Sequence, residues 1–349
     1  MLRYYKRMPS QEQILETLRN VIDPDLKKDL VTLGMIQDVV IDKSGKVSLR
    51  LVLTTPACPF RGTLETEVKN AVRSVPGVTD AHIITDASVP QMKPLFERAP
   101  LPGVRNIIAV ASGKGGVGKS AVSVNIAASL AESGARVGLL DADIYGPSMP
   151  IMLGIDAQIE VDPEREIMPL EKFGMKLMSF GFIAQKDAAV IWRGPLASKA
   201  LRQFLKQVRW GELDYLIIDM PPGTGDVHLT LFQTIPLSGG VIVTTPQHVA
   251  LADATRAIEM FRTLHSPVLG VVENMAGEIF GTGGGEELAK KYGVPFFGRV
   301  PLDAIIRGAS DAGVPLIMHA PAHAATDAFR TVAAHSAQEV SKTALLDEH

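Results

Sequence analysis

The sequence predicts an α/β fold, a mostly parallel sheet covered by helices on both faces, preceded by a small α+β domain. Three observations predict it. From residue 105 onward, nearly continuous apolar runs alternate with helical patterns, as expected of parallel strands buried on both faces. A glycine-rich turn, "ASGKGGVGKSAVSVN" at residues 111–125, joins one of these runs to a helical pattern. Ahead of it, residues 8–89 mix helix-like and strand-like segments in a different rhythm.

The elements follow in order. "SQEQILETLRNV" has apolar residues at helical spacing, while "LVTLGMIQDVVID" and "KVSLRLVLTT" are β-rich around a "KSGK" turn. A helix is expected from about Phe60 to Ser74, then the strand "VTDAHIITD". Residues 90–104, "PQMKPLFERAPLPGV", carry prolines without a period and read as a linker. Beyond it come the strand "NIIAVAS", a helix from Ser120 to about Ser133, and the strands "RVGLLDAD", "DYLIIDM" and "GVIVTTP". The helix "VALADATRAIEMFRTL", the strand "PVLGVVEN" and the helix "EELAKKYG" complete the pattern. The expected organisation is a small domain over 8–89, a linker over 90–104 and a large α/β domain over 105–349.

Composition narrows the function classes. A chain of 349 residues is long enough for two domains and its 46% hydrophobic content can bury at least one large core, while 21% charged residues with a net charge of −3 argue against a nucleic-acid partner. The lone cysteine, Cys58, excludes an internal disulfide framework and fits a reducing, cytoplasmic setting. "MLRYYKRMPSQEQ" lacks the apolar stretch of a secretory signal, and no run is long enough to span a bilayer, so no membrane partner is expected.

Gly113, Gly118, Lys119 and Ser120 satisfy G-x-x-x-x-G-K-[ST] in the strand–loop–helix context that the motif requires, a P-loop. Glycines let successive backbone N–H groups of 113–118 converge on phosphate oxygens, and the helix start adds positive potential. Lys119 would neutralise the outer phosphates of ATP, and the Ser120 hydroxyl would ligate Mg²⁺. Asp219 ends the strand "DYLIID", from which a carboxylate reaches the magnesium shell; Asp141 and Asp143 end "VGLL" as D-x-D, two side chains expected on one side of an extended chain. "PPGTGD", 221–226, supplies glycines able to approach a terminal phosphate and to move when it leaves.

These residues carry a resemblance. "KGGVGKS" resembles the deviant Walker A of MinD/ParA-like ATPases, and "LLDADIYGPSMPIMLG", "IIDMPPGTGD" and "WRGP" together resemble the Mrp/ApbC family of iron–sulfur cluster carrier ATPases. "VIDPDL", "LVTLGMIQDV" and "LTTPACP" resemble the small iron–sulfur assembly domain often fused to that family. The resemblance implies an ATP-hydrolysing homodimer that passes clusters to apoprotein clients or works with iron–sulfur assembly proteins. It implies that Lys114 crosses to the partner's nucleotide, that Asp143 orients the attacking water, that Asp219 acts on the Mg²⁺ shell and that Asn274, in "VVENM", reads adenine. The loop 113–120, with Gly115, Gly116 and Val117, would bind the phosphates.

The chain departs from the family in one place. Where such carriers present C-x-x-C, between "NM" and the Gly-rich loop, the sequence reads "AGEI". A four-thiolate iron–sulfur cluster is then out of reach, because a dimer offers two cysteines, both Cys58. Cys58 precedes a helix whose dipole is expected to lower its thiol pKa, making it a candidate cluster, metal or exchange ligand; the alternative is a small buried apolar side chain. Asp23 and Asp25 are candidates to lie beside it, or else punctuate a surface turn. His82, His228, His248, His319, His323 and His335 show no metal-ligand pairing on one element, and "WRGPLASKAL" around Trp192 and Arg193 offers no chemistry beyond packing or a dimer or client contact. Two other functions stay open: a nucleotide-switched scaffold that has lost cluster carriage, and a positioning ATPase on membrane or DNA. The acidic end of "FRTVAAHSAQEVSKTALLDEH" argues against the second.

Overall fold

The computed structural model describes residues 8–91, 100–159, 166–183 and 194–346. Of these, the residues up to Pro90 and from Ser341 onward form one compact unit, and those from Gln91 to Val340 the other.

The first unit packs two helices against a three-stranded sheet. Helix α1 (Gln11–Leu18) begins at a capping box in which Ser10 and Gln13 satisfy each other's backbone N–H, and it buries Ile14 and Leu18. Strands β1 (Ile36–Ile41) and β2 (Lys46–Leu53) pair antiparallel, and β2 pairs parallel with β3 (Asp80–Ala87). Along β2, Val47, Leu49 and Leu51 alternate into the core. They meet Leu64, Val68 and Val72 from α2 (Arg61–Arg73), where a four-residue spacing stacks side chains on one helix face.

The second unit is an eight-stranded sheet in the order β11-β10-β9-β4-β8-β5-β7-β6. Its chain runs β4 (Val104–Ala111), α3 (Lys119–Glu132), β5 (Val137–Asp141), α4 (Met149–Met152), β6 (Leu170–Lys172), β7 (Met175–Ser179), α5 (Gly194–Gln207), β8 (Leu213–Asp219) and α6 (Asp226–Thr234). It continues with β9 (Gly239–Thr244), α7 (His248–Thr263), β10 (Val268–Ala276), α8 (Gly284–Tyr292), β11 (Phe296–Pro301), α9 (Ala304–Asp311) and α10 (Leu316–His319); α11 (Ala324–Leu346), the last element described, belongs to this unit up to Val340. All pairings in this sheet are parallel except that of β6 with β7. Residues of β5, β8 and β9 are buried throughout, as the apolar runs require.

The strand order reverses at β4. The chain leaves β4 through α3 toward β5 on one side, while β9 flanks it on the other, so a crevice opens at the carboxyl end of β4 where ligands of such sheets bind. Strands β7 and β11 are not marked by continuous apolar runs in the sequence. Strand β7 carries Lys176, whose ammonium is tied to the Trp210 carbonyl at 2.7 Å, and β11 contains Gly298 at φ 125 with an irregular register. Each interruption hides a short strand from an apolar-run criterion. Of the stretch 90–104, residues 92–99 lie outside the described residues; Leu101 is buried and Val104 already opens β4.

Candidate functional site

The loop 113–120 follows β4 and enters α3 through Gly118, whose φ of 78 lies in the left-handed region. A Cβ there would meet Asn274 Nδ2 at 2.3 Å, and one on Gly113 would meet the Asp253 carbonyl oxygen at 1.9 Å, so both positions exclude any other residue. Gly115 and Gly116 are exposed, and Lys114 is half-buried with no hydrogen bond or ion pair from its ammonium among the described residues. Its backbone carbonyl accepts from Ser112 Oγ at 2.9 Å.

Asp219, fully buried at the end of β8, is the hub beneath the loop. Lys119 Nζ donates to its Oδ1 at 2.7 Å, Ser120 Oγ to its Oδ2 at 2.6 Å and Ser123 Oγ to its Oδ1 at 2.7 Å. Lys119, Ser120 and Asp219 are therefore brought together as the sequence predicts, by parallel pairing of β4 with β8.

The D-x-D pair separates. Asp141 ends β5 and its Oδ1 accepts the N–H of Asp143 at 3.1 Å, so the chain turns at once instead of staying extended. Asp141 is fully buried, with Oδ2 accepting from Ser179 Oγ at 3.0 Å and from the Met149 N–H at 3.3 Å. Burial, and then the charge of Asp219, push its carboxyl up to about 7. Asp143 instead lines the cleft, its Oδ1 accepting from the Gly146 N–H at 3.1 Å. The two acids do not share a side; one faces the buried sheet end and one the ligand space.

Asn274, at the end of β10, donates through Nδ2 to the Val117 carbonyl at 2.8 Å, so its amide braces the phosphate loop while it lines the same cleft. That cleft has a volume of about 460 Å³. Its far wall, which the sequence reading missed, comes from Pro301, Leu302, Ile306 and Arg307 at the β11–α9 turn. Asp303 caps α9 by accepting the Ile305 N–H at 3.0 Å, and "PLDAII" was the available signal, an Asp just before a helical run. His228 packs behind the turn 221–225; burial, aided by Lys119, lowers it to about 4, with the Pro221 carbonyl pulling the other way.

The second glycine-rich turn, "GTGGG", is already filled. Glu273, fully buried on β10, accepts from the Gly283 N–H at 2.9 Å and the Gly285 N–H at 2.6 Å, and pairs with Arg299 Nε at 3.2 Å. Before it, "AGEI" lies in a tight turn closed by reciprocal bonds between Gly277 and Gly281 at 3.0 and 2.7 Å, with Ile279 at 77% exposure. No thiol stands there.

In the first unit Cys58 is half-buried just before α2. Burial pushes its thiol up; the Phe60 N–H, next in size, pulls it down but does not offset the burial, and the Asp23 and Asp25 charges add smaller upward pushes. The expectation of a lowered pKa is thus overturned: desolvation outweighs the helix start. Asp23 is buried and folds its own turn, Oδ1 accepting the Asp25 and Leu26 N–H groups at 2.8 and 2.9 Å. Trp192 and Arg193 lie outside the described residues.

Comparisons with known proteins agree with this geometry. Residues 103–337 match the family described as NUBPL iron-transfer P-loop NTPase, and residues 11–83 match iron-sulfur cluster assembly protein. The chain is 48% identical to the iron-sulfur cluster carrier protein of Synechocystis sp., over 97% of this chain and 100% of that protein. Among solved structures, a nucleotide-binding protein from Archaeoglobus fulgidus in complex with ADP is 40% identical with a TM-score of 0.54, covering 62% of this chain and 89% of that one. The MinD cell division ATPase of Pyrococcus furiosus, 21% identical with a TM-score of 0.53 over 66% of this chain and 97% of its own, shares the fold alone. The fold class and the family resemblance read from the sequence are borne out.

Proposed function

The chain belongs to the NUBPL iron-transfer P-loop NTPase family, and from that premise we propose that it binds and hydrolyses ATP as a nucleotide-controlled dimer in iron–sulfur cluster assembly and delivery to apoproteins. The observation that carries this reading is the cleft at the carboxyl end of β4, where Lys119, Ser120 and Asp219 lie within hydrogen-bond distance beneath an open phosphate loop.

The loop N–H groups and Lys119 would bind the phosphates. Ser120 Oγ and Asp219 are hard oxygen donors that suit Mg²⁺; the ion would neutralise charge developing on the outer phosphates. A single serine and a single carboxylate fit an ion that keeps most of its shell as water and phosphate oxygen. Asp143, facing the cleft, would hold the attacking water, and the ammonium of Lys114, unpaired among the described residues, is suited to act on the partner's nucleotide, supplying positive charge in trans. Asn274 keeps Oδ1 for a base while Nδ2 holds Val117, and Leu302 and Ile306 offer an apolar wall for its ring. No helix among the described residues is long and apolar enough to cross a membrane; the lone cysteine supports a cytoplasmic setting.

Cys58 is the sole thiol, so two copies supply two thiolates and do not fit a four-thiolate cluster. The closed Gly277–Gly281 turn favours a second reading, a nucleotide-switched scaffold that engages clients without holding a cluster. Anaerobic purification with iron and sulfide analysis, followed by incubation with an apo-acceptor enzyme, separates the two. The carrier reading expects near-stoichiometric iron and sulfide per dimer and ATP-sensitive activation of the acceptor. Mg²⁺-dependent hydrolysis without iron or activation leaves the scaffold.

A further inference from the structure

Asp219 has three side-chain donors among the described residues, and two of them are the groups a nucleotide requires. Lys119 must turn to phosphate and Ser120 to the metal, so both bonds to Asp219 are given up or shared when ligand arrives. The third donor is different. Ser123 lies four residues beyond Lys119 and three beyond Ser120 on α3, a spacing that stacks all three over one face. It is fully buried and is not part of the cleft lining, so a ligand in the cleft has no access to it.

We propose that Ser123 is the positioning residue for Asp219, keeping Oδ1 engaged when Lys119 and Ser120 change partners and so leaving Oδ2 to the metal's hydration shell. The inference rests on the nucleotide reading above. A hydroxyl has one proton, and Ser123 Oγ has two acceptors in reach: the Lys119 carbonyl at 3.0 Å and Asp219 Oδ1 at 2.7 Å. The carboxylate is nearer and charged, so it takes the stronger bond. A fully buried carboxylate that lost every donor would be heavily penalised, the more so with Asp141 buried on the neighbouring strand. Ser123 is the donor that can stay. Were its bond to Lys119 merely the usual serine back-bond within a helix, Asp219 and the metal would be indifferent to its loss.

The test is binding of a fluorescent ADP analogue to the full chain, in EDTA and across a Mg²⁺ titration, for wild type, Ser123→Ala and Ser123→Thr. For Ser123→Ala the Mg²⁺ concentration giving half the metal-dependent gain in affinity rises about tenfold, while affinity in EDTA stays within about twofold. Ser123→Thr, which keeps the hydroxyl, stays within about threefold of wild type. In an Asp219→Asn background the alanine change adds no further shift. An unchanged Mg²⁺ requirement in Ser123→Ala, or an equal loss in EDTA, overturns the positioning role. Absence of any nucleotide binding by the wild type overturns instead the reading on which it rests.

Discussion

Two glycine-rich turns in this chain lead from a strand end into a helix, and they differ in where their anion comes from. "GKGGVGKS" joins β4 to α3 and "GTGGG" joins β10 to α8, and both helices start behind a left-handed glycine, Gly118 at φ 78 and Gly283 at φ 98. At the second turn the chain fills the site itself with the Glu273 carboxylate, backed by Arg299. At the first, among the described residues, no side chain caps the helix, and the internal carboxylate, Asp219, engages the side chains of Lys119 and Ser120. A glycine turn before a helix is therefore a ligand site only where the fold leaves its donors unfilled.

The comparison can be broken from either side, beginning with the largest effect. Lys114→Ala is expected to lower ATP turnover about a thousandfold while ATP affinity stays within about threefold, read by phosphate release and equilibrium binding. Equal turnover in the variant would remove the trans-acting lysine. Glu273→Ala empties the filled turn: two glycine amides lose their acceptor and Arg299 keeps Glu286 but loses its buried partner, at a cost of about 3 kcal/mol in urea unfolding. If the turn is an anion site in disguise, sulfate should restore part of that loss in the variant and none in the wild type.

Asp141 sharpens the contrast between buried acids. Glu273 has a cation beside it, whereas Asp141 faces Asp219 and is pushed up to about 7. A carboxyl bound more tightly to its proton when folded than when unfolded makes stability fall as pH rises from about 4 to 7. Asp141→Asn removes that slope, so the variant should gain on wild type by about 2 kcal/mol between pH 5 and pH 8, measured by denaturant titration at each pH. A constant difference would show that Asp141 does not hold a proton near neutrality. The smallest effect concerns a third helix start, that of α2. There burial raises the Cys58 thiol, so iodoacetamide at pH 7.5 should alkylate it about tenfold more slowly than a free small thiol. Faster alkylation would restore the activated-thiol reading.

What the sequence made legible was whatever depended on near neighbours. The phosphate loop, the strand ahead of it and the helix behind it form a continuous segment, and Asp219 could be placed because an apolar strand ends on it. Contacts across long separations were not legible. Nothing in "VVENM" announces that Asn274 Nδ2 will hold the Val117 carbonyl 157 residues away, or that Glu273 beside it will fill the next turn. The D-x-D spacing suggested two acids on one side because it assumed an extended chain, and the Asp143 N–H folding back onto Asp141 broke that assumption. The cleft's far wall was hidden because β11 is short and interrupted by Gly298. Cys58 misled for a related reason: a helix start is visible in sequence, whereas the burial that outweighs it is not.

The open phosphate loop is the claim on which the rest depends, and calorimetric titration of Mg–ADP into wild type and Lys119→Ala tests it most directly. One nucleotide per chain is expected for the wild type, with affinity reduced at least about a hundredfold in a Lys119→Ala variant that melts at a similar temperature. Undiminished binding by that folded variant would contradict the assignment of the site to the loop at 113–120.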